Sequence, residues 1–380
     1  MIVNSIRLNQ FRNYESLELE FHPGTNLFYG DNAQGKTNIL EAVYLCGTTR
    51  SHKGSKDREM IRFEQEEAHI RMELSKSAIP WRIDMHLKKN KSKGIAVNGV
   101  PVKKAGELIG IGNFIFFSPE DLNIIKNGPS ERRRFLDMEL CQLDKIYLHH
   151  LTNYTKALAQ RNKLLKDIAF HPEYEEMLDL WDAQMVQYGS RLIRQRETFV
   201  EELNQIIYGI HYNLSGKKEE LLVTYEKNAE PEELETLLRQ GREKDLKMHV
   251  TGCGPHRDDL CFMIKGVDIR RFGSQGQQRT AALSLKLSEI EIVKRRIKET
   301  PVLLLDDVLS ELDSSRQRYL LENINDIQTF ITCTGVDDFV RNHFRIDRLF
   351  QVTDGRVKVK ESSERVTGRP EENEKQEEFE

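Results

Sequence analysis

The sequence predicts an α/β protein: a mixed β-sheet flanked by helices, with a mostly helical domain inserted into it. Three observations carry this expectation. A short apolar run at 25–29 leads through Gly30-Asp31-Asn32-Ala33-Gln34-Gly35-Lys36-Thr37 into a segment of helical character at 38–45. A second apolar run at 302–305 ends in two carboxylates, Asp306 and Asp307. Between them, residues 130–245 are rich in Leu, Glu, Gln, Lys and Arg, poor in β-branched runs, and carry only Pro172 and Pro231.

The elements follow in order. Residues 5–11 (SIRLNQF) and 17–21 (LELEF) alternate apolar and polar at period two, as strands do. TNLFY at 25–29 reads as a buried strand, and 69–102 is again strand-like. Asn98-Gly99 between two apolar runs is a two-residue hairpin signal. From Pro119 the character turns helical. Pro129-Ser130-Glu131 predicts a helix start with Ser130 as its cap. Short strands and turns return near Thr251, and a long helix is expected over 275–298. Its apolar stripe is Leu283, Leu287, Ile290, Val293 and Ile297, at helical spacing. Lys294, Arg295, Arg296 and Lys298 suit the negative end of its dipole. A buried strand at 301–305, a helix to about 325 and a strand at 328–332 complete the pattern. The expected domains are therefore 1–118 (first part of the head, with a β-hairpin lobe), 119–245 (helical, lever-like), 246–360 (second part of the head) and 361–380 (an acidic tail expected to be disordered).

The 380 residues suit two or three domains. With 38% hydrophobic and 31% charged residues, and no run of 18 apolar residues, a membrane span is excluded. Nothing in the first residues reads as a secretory signal. Five scattered cysteines without CxxC spacing argue against a disulfide framework or zinc site and fit a reducing cytoplasm. The net charge of −4 is uneven: 361–380 hold eight Glu against Arg365, Arg369 and Lys375, so the body is close to neutral. Bulk charge therefore neither demands nor forbids nucleic acid, and any case for it rests on local patches.

Residues 30–37 match GxxxxGK[ST] at every fixed position. The glycines let backbone N–H groups turn toward a phosphate, and the following helix presents its positive end there. Lys36 is expected to reach the β and γ phosphates of ATP, and the Thr37 hydroxyl to ligate Mg²⁺. Gly30, Asp31, Asn32, Ala33, Gln34 and Gly35 form the cradle. At the second strand end Asp306 is expected to hold the Mg²⁺ water shell. Asp307 is expected to orient or deprotonate the attacking water.

Phe272-Gly273-Ser274-Gln275-Gly276-Gln277 stands ahead of the long helix, and Ser310-Glu311-Leu312-Asp313 follows the acidic pair. Phosphate loop, SxGQ at a helix start, strand-Asp-acid and SxLD, in this order, resemble the ABC-type ATPases. Further blocks narrow the likeness: Phe11-Arg12-Asn13-Tyr14, Arg50-Ser51-His52, Pro119-Glu120-Asp121-Leu122, Arg132-Arg133-Arg134-Phe135 and Gly254-Pro255-His256-Arg257-Asp258-Asp259. With these the chain, to about residue 360, resembles the RecF family of bacterial recombination mediators within the ABC/SMC-like group. Asn127 stands where that family usually has glycine, and Lys53 where Arg is common. The switch histidine of many ABC ATPases is missing, and Thr332, Cys333 and Thr334 occupy that stretch. The resemblance implies an ABC-type head in which Ser274 and Gly276 act on ATP held by the Lys36 of a second copy. It also implies an ATP-dependent homodimer, weak DNA-dependent hydrolysis, binding of single-stranded and gapped DNA, and partners of the RecO and RecR type. Recombinational repair, replication and SOS induction follow from it. Only 237 residues separate Lys36 from Ser274, without sustained heptads, so a compact helical lobe replaces the long coiled coil of SMC proteins.

Two basic clusters remain. Lys88, Lys89, Lys91 and Lys93 read as a solvated sheet edge. Arg132, Arg133 and Arg134 lie in a first helical turn, where cations oppose the dipole. An anion nearby would offset this: DNA phosphate, nucleotide phosphate or an internal carboxylate. Arg12 and Asn13 are candidate contacts to the nucleotide base. His256-Arg257-Asp258 has the letters of a kinase catalytic loop, but Met263 stands where that loop needs Asn. The alternative of a different class is the nucleotide-binding subunit of an ABC transporter, which would need a groove for a membrane subunit.

Overall fold

The structure is a computed structural model and describes residues 1–335 and 345–360. The expected disorder of 361–380 lies outside the described residues.

Strands β1 (Ile2–Phe11) and β2 (Tyr14–Glu20) pair antiparallel and open a six-stranded sheet. β4 (Glu67–Lys76), β5 (Ile79–Lys88), β6 (Lys91–Val97) and β7 (Val100–Pro101) continue it, in the order β2-β1-β4-β5-β6-β7. Asn98 and Gly99 take positive φ values of 52° and 82°, the conformation that the predicted hairpin turn requires. The second six-stranded sheet contains β3 (Thr25–Tyr29), β8 (Phe114–Phe117), β12 (Val302–Asp306), β13 (Thr329–Cys333), β14 (Arg348–Thr353) and β15 (Arg356–Lys360). Its order is β15-β14-β3-β13-β12-β8, and every pair except β14–β15 is parallel. Strands buried on both faces read as continuous apolar runs, which is why VLLLD and FIFF show no alternation.

Among the described residues, the helices of ten residues or more are α1 (Lys36–Thr48), α2 (Pro129–Leu143), α3 (Lys145–Asp167), α4 (Leu178–Leu214), α5 (Gln275–Ile297) and α6 (Ser314–Asn323). Helix α1 packs between the two large sheets: Ile39, Leu40 and Val43 share one core with Ile6 and Met72 of the first and Phe28, Leu304 and Phe330 of the second. On the opposite face of the second sheet, the predicted stripe of α5 packs on Leu27, Leu303, Leu305 and Ile331. A second face of α5, with Ala281, Leu285 and Ile292, packs into the helical domain. α5 is thus buried on two sides, and this explains why it joins head and lobe.

The inserted domain holds α2, α3 and α4. At 37 residues, α4 is about 55 Å long. The composition predicts a mostly helical domain without singling out a strand, but LLVTYE forms strand β9 (Leu221–Glu226). It pairs antiparallel with β10 (Asp259–Ile264), which also pairs with β11 (Val267–Asp268). This small sheet crosses the expected boundary at 245/246. Helix α2 is capped by Gly128 with Pro129 in its first turn; Ser130, the predicted cap, lies inside the helix.

Candidate nucleotide site

Strands β3, β13 and β12 lie side by side, so the loop after β3 and the carboxylates ending β12 emerge at the same sheet edge. Gly30 and Gly35 have φ values of 148° and 109°. A Cβ on Gly30 would come within 2.2 Å of the Val352 carbonyl oxygen, and one on Gly35 within 2.4 Å of the Asn13 amide. Both positions therefore demand glycine for two reasons, conformation and space.

Four residues brace the loop. Tyr14, fully buried, donates to the Gly35 carbonyl at 3.0 Å. The Asn13 amide donates to the Gln34 carbonyl at 3.0 Å, and the Asn38 amide donates to Asn13 Oδ1 at 2.9 Å. The Asp354 N–H donates to Gln34 Oε1, tying the β14–β15 hairpin to the loop. The Lys36 ammonium donates to the carbonyls of Gly30 and Asp31 at 2.6 and 2.8 Å, closing the loop on itself.

The Thr37 hydroxyl donates to Asp306 Oδ1 at 2.7 Å. Thr332, in the strand between them, donates its hydroxyl to the same oxygen at 2.8 Å. Its Oγ1 also accepts the Asp307 N–H at 3.0 Å. In the sequence Thr332 stands only in the stretch where the missing histidine would be. Its role as a brace for both acids becomes visible once β12 and β13 are in register, Asp306 opposite Thr332. Asp307 takes a positive φ of 51°. Partial burial, and then the neighbouring Asp306 charge, push its carboxyl above the usual range, while Lys36 pulls it down.

Arg12 is not free to meet a base. It donates to both oxygens of the fully buried Glu41 at 2.7 Å, and also to Ser55 and the Glu59 carbonyl. Burial alone would raise the Glu41 carboxyl, but the bonds from Arg12 and from Ser51 outweigh it and hold the carboxyl below its ordinary value. His52, next to Ser51, stacks on Phe116 with ring centroids 3.8 Å apart. The Phe11–Tyr14 and Arg50–His52 blocks therefore shape the loop and the base of α1.

Ser274 caps α5. Its hydroxyl accepts the Gln277 N–H at 3.2 Å, and the Gln277 side chain accepts the Ser274 N–H at 2.9 Å. Ser274, Gln275 and Gly276 are exposed, and Phe272 is 75% exposed. A Cβ on Gly276 would meet nothing closer than Ser274 Oγ at 3.9 Å. Among the described residues no hydrogen bond joins Ser274 or Gly276 to residues 30–37.

The arginine run divides. Arg132 is 4% exposed, and its guanidinium donates to both oxygens of Asp259 at 2.5 and 3.0 Å and to the Asn127 carbonyl at 2.6 Å. Of the three anions expected beside the run, an internal carboxylate holds Arg132, which is therefore not a DNA contact. Arg133 donates to the Asp258 carbonyl and Arg134, which is exposed, to the His52 carbonyl. Among the described residues no hydrogen bond joins the Gly254–Asp259 block to residues 30–37. Asp258 accepts from Arg196 at 3.1 Å and from the Asn228 N–H at 2.8 Å, and also from the Tyr225 hydroxyl, locking β9 to α4. In the lysine cluster, Lys89 pairs with Glu66 and Lys93 with Asp57.

The family described as RecF/RecN/SMC N-terminal domain matches residues 2–360. A DNA replication and repair protein RecF from Agathobacter rectalis is 60% identical over 359 residues, covering 94% of this chain and 99% of the relative. One from Lachnospira eligens is 61% identical over 359 residues, with the same coverage. Among solved structures, the recombination mediator RecF with ATP, from the RecFOR pathway, superposes with a TM-score of 0.89 at 40% identity, covering 94% of this chain and 97% of that one. An Smc head domain from Pyrococcus furiosus superposes at 0.55 with 16% identity, covering 94% and 95%, and shares the fold alone.

Proposed function

This chain belongs to the RecF/RecN/SMC N-terminal-domain family, and from that premise we propose that it is an ATP-dependent DNA-binding protein of replication and recombinational repair. The observation that carries this reading is the Thr37–Asp306 bond, which joins the phosphate loop to the acidic strand end at one sheet edge. The high identity to repair proteins named RecF, and the close superposition on one solved with ATP, support the same reading.

In this proposal residues 30–35 cradle the phosphates with backbone N–H groups. Lys36 exchanges two loop carbonyls for β and γ oxygens. A hydroxyl and a carboxylate already in contact are a fitting donor pair for Mg²⁺, so Thr37 and Asp306 would hold it. When bound, the ion neutralises charge on the phosphates. Asp307 takes a proton from the attacking water, and its raised carboxyl makes it a better base than an ordinary aspartate. Thr332 keeps both acids in place.

Ser274 and Gly276 complete the site of a second copy. An open, exposed glycine in a helix costs stability relative to alanine and is not required by its own chain. An approach from outside explains it. ATP would thus close a homodimer over single-stranded or gapped DNA, and slow hydrolysis would release it. Arg133 and Arg134 are offered as phosphate contacts. Mediators of the RecO and RecR type, SOS induction and the cytoplasm belong to the same proposal. Among the described residues no helix is long and apolar enough to cross a membrane.

The test is fluorescence anisotropy of a labelled gapped duplex with and without ATP. Wild type should bind more tightly with ATP, and Ser274→Arg should not respond. If neither responds, the link between nucleotide and DNA is wrong.

A further inference from the structure

The outer, polar face of the first sheet carries a group that the nucleotide reading does not use. Glu67 and His69 stand two residues apart on β4, and His86 lies directly opposite His69 on β5. Strand alternation sends all three to the solvent side, while Ala68 and Ile70, on either side of His69, are buried. Among the described residues this is the one group of three or more His, Cys, Asp or Glu whose donor atoms all lie within 4.8 Å of one another. His86 Nε2 is 2.9 Å from one Glu67 oxygen, and His69 Nε2 is 3.7 Å from the other. The two imidazoles stack with centroids 3.9 Å apart and planes inclined by 25°.

We propose that Glu67, His69 and His86 form a surface site for a single divalent transition-metal ion of the zinc class. Two imidazoles and one carboxylate are a donor set suited to Zn²⁺ or Cu²⁺, whereas Mg²⁺ prefers oxygen alone. Tetrahedral zinc needs donors about 3.3 Å apart and lies in the plane of each ligating ring, so at least one imidazole must turn out of the stack to bring both nitrogens to one ion. Such rotations are open to side chains that are 52%, 52% and 30% exposed for Glu67, His69 and His86. Gly94, opposite His86 on β6, has no side chain to cover the ring. Asp84, the next carboxylate on β5, is held by Arg71 at 2.6 Å and Arg82 at 2.9 Å. Water therefore takes the fourth position. Lys88, 4.0 Å from Glu67, is the nearby cation that must swing away, and its side chain is 39% exposed. The ion would clip β4 to β5 and stabilise the lobe by mass action.

The site stands apart from the nucleotide proposal and is tested separately. The full chain, stripped with a chelator, is titrated calorimetrically with ZnCl2, and with Cu²⁺ for electron paramagnetic resonance. One zinc per chain is expected, with at least a tenfold loss of affinity in His69→Ala and in His86→Ala. The copper spectrum should report two nitrogen ligands in wild type and one in either variant. Unchanged zinc binding in the double variant His69→Ala/His86→Ala would overturn the assignment, as would no stoichiometric zinc binding in wild type. So would a wild-type copper spectrum without two nitrogens, a readout that needs no variant to fold.

Discussion

The Thr332 hydroxyl donates to Asp306 Oδ1 at 2.8 Å while accepting the Asp307 N–H at 3.0 Å, so one side chain fixes two adjacent acids. Thr332→Val keeps the shape and removes both bonds. A hydrogen bond to a charged group is worth about 1.5–3 kcal/mol, so ATP turnover should fall roughly 10–100-fold. Equilibrium ATP binding, measured with a fluorescent analogue, should change far less. Equal losses in binding and turnover would mean that Thr332 supports the loop and not the acids.

Asp307→Asn should bind ATP as wild type does and hydrolyse it about 10²–10⁴-fold more slowly. The base must be ionised, and burial next to Asp306 raises its carboxyl above the ordinary value of 3.8. Turnover in wild type should therefore rise with pH along a limb displaced above that value. A stopped-flow pH profile checks this, and the limb should vanish in Asp307→Asn.

Arg12→Ala should destabilise the chain by about 3–5 kcal/mol, because it leaves Glu41 buried without its cation. Glu41 is held below its ordinary value, so its contribution is present above that value and lost as pH falls through the lowered one. The gap between wild type and variant in urea unfolding should accordingly be widest near neutral pH and narrow in acid.

Gly276→Ala should leave the isolated chain as stable or up to about 1 kcal/mol more stable, since the helix gains propensity and the Cβ meets open space. Association driven by ATP should weaken nonetheless. A stabilised variant that still associates normally would show that nothing approaches Gly276.

Much of the head was legible in the sequence because its signals are local. The loop at 30–37 announces itself by glycine spacing, and the α5 stripe by period. The side-chain pairings were not legible, because they join distant segments. Nothing near Arg132 in sequence points to Asp259, 127 positions on, and nothing in FRNY points to Glu41. Strand β9 was missed because LLVTYE is short and lies in a Glu- and Lys-rich stretch of helical composition, and only its pairing with β10 makes it a strand. Asn98-Gly99, in contrast, fixed both its turn and its register, since few residues tolerate two successive positive φ angles.

Sedimentation-velocity mass with and without ATP shows whether a second copy completes the site. Wild type should shift from monomer to dimer on adding ATP. Ser274→Arg and Ser274→Asp should stay monomeric; aspartate keeps the helix cap, so loss of capping cannot account for its failure. A dimer that forms equally in both variants, or a wild type that remains monomeric at saturating ATP, would contradict the account.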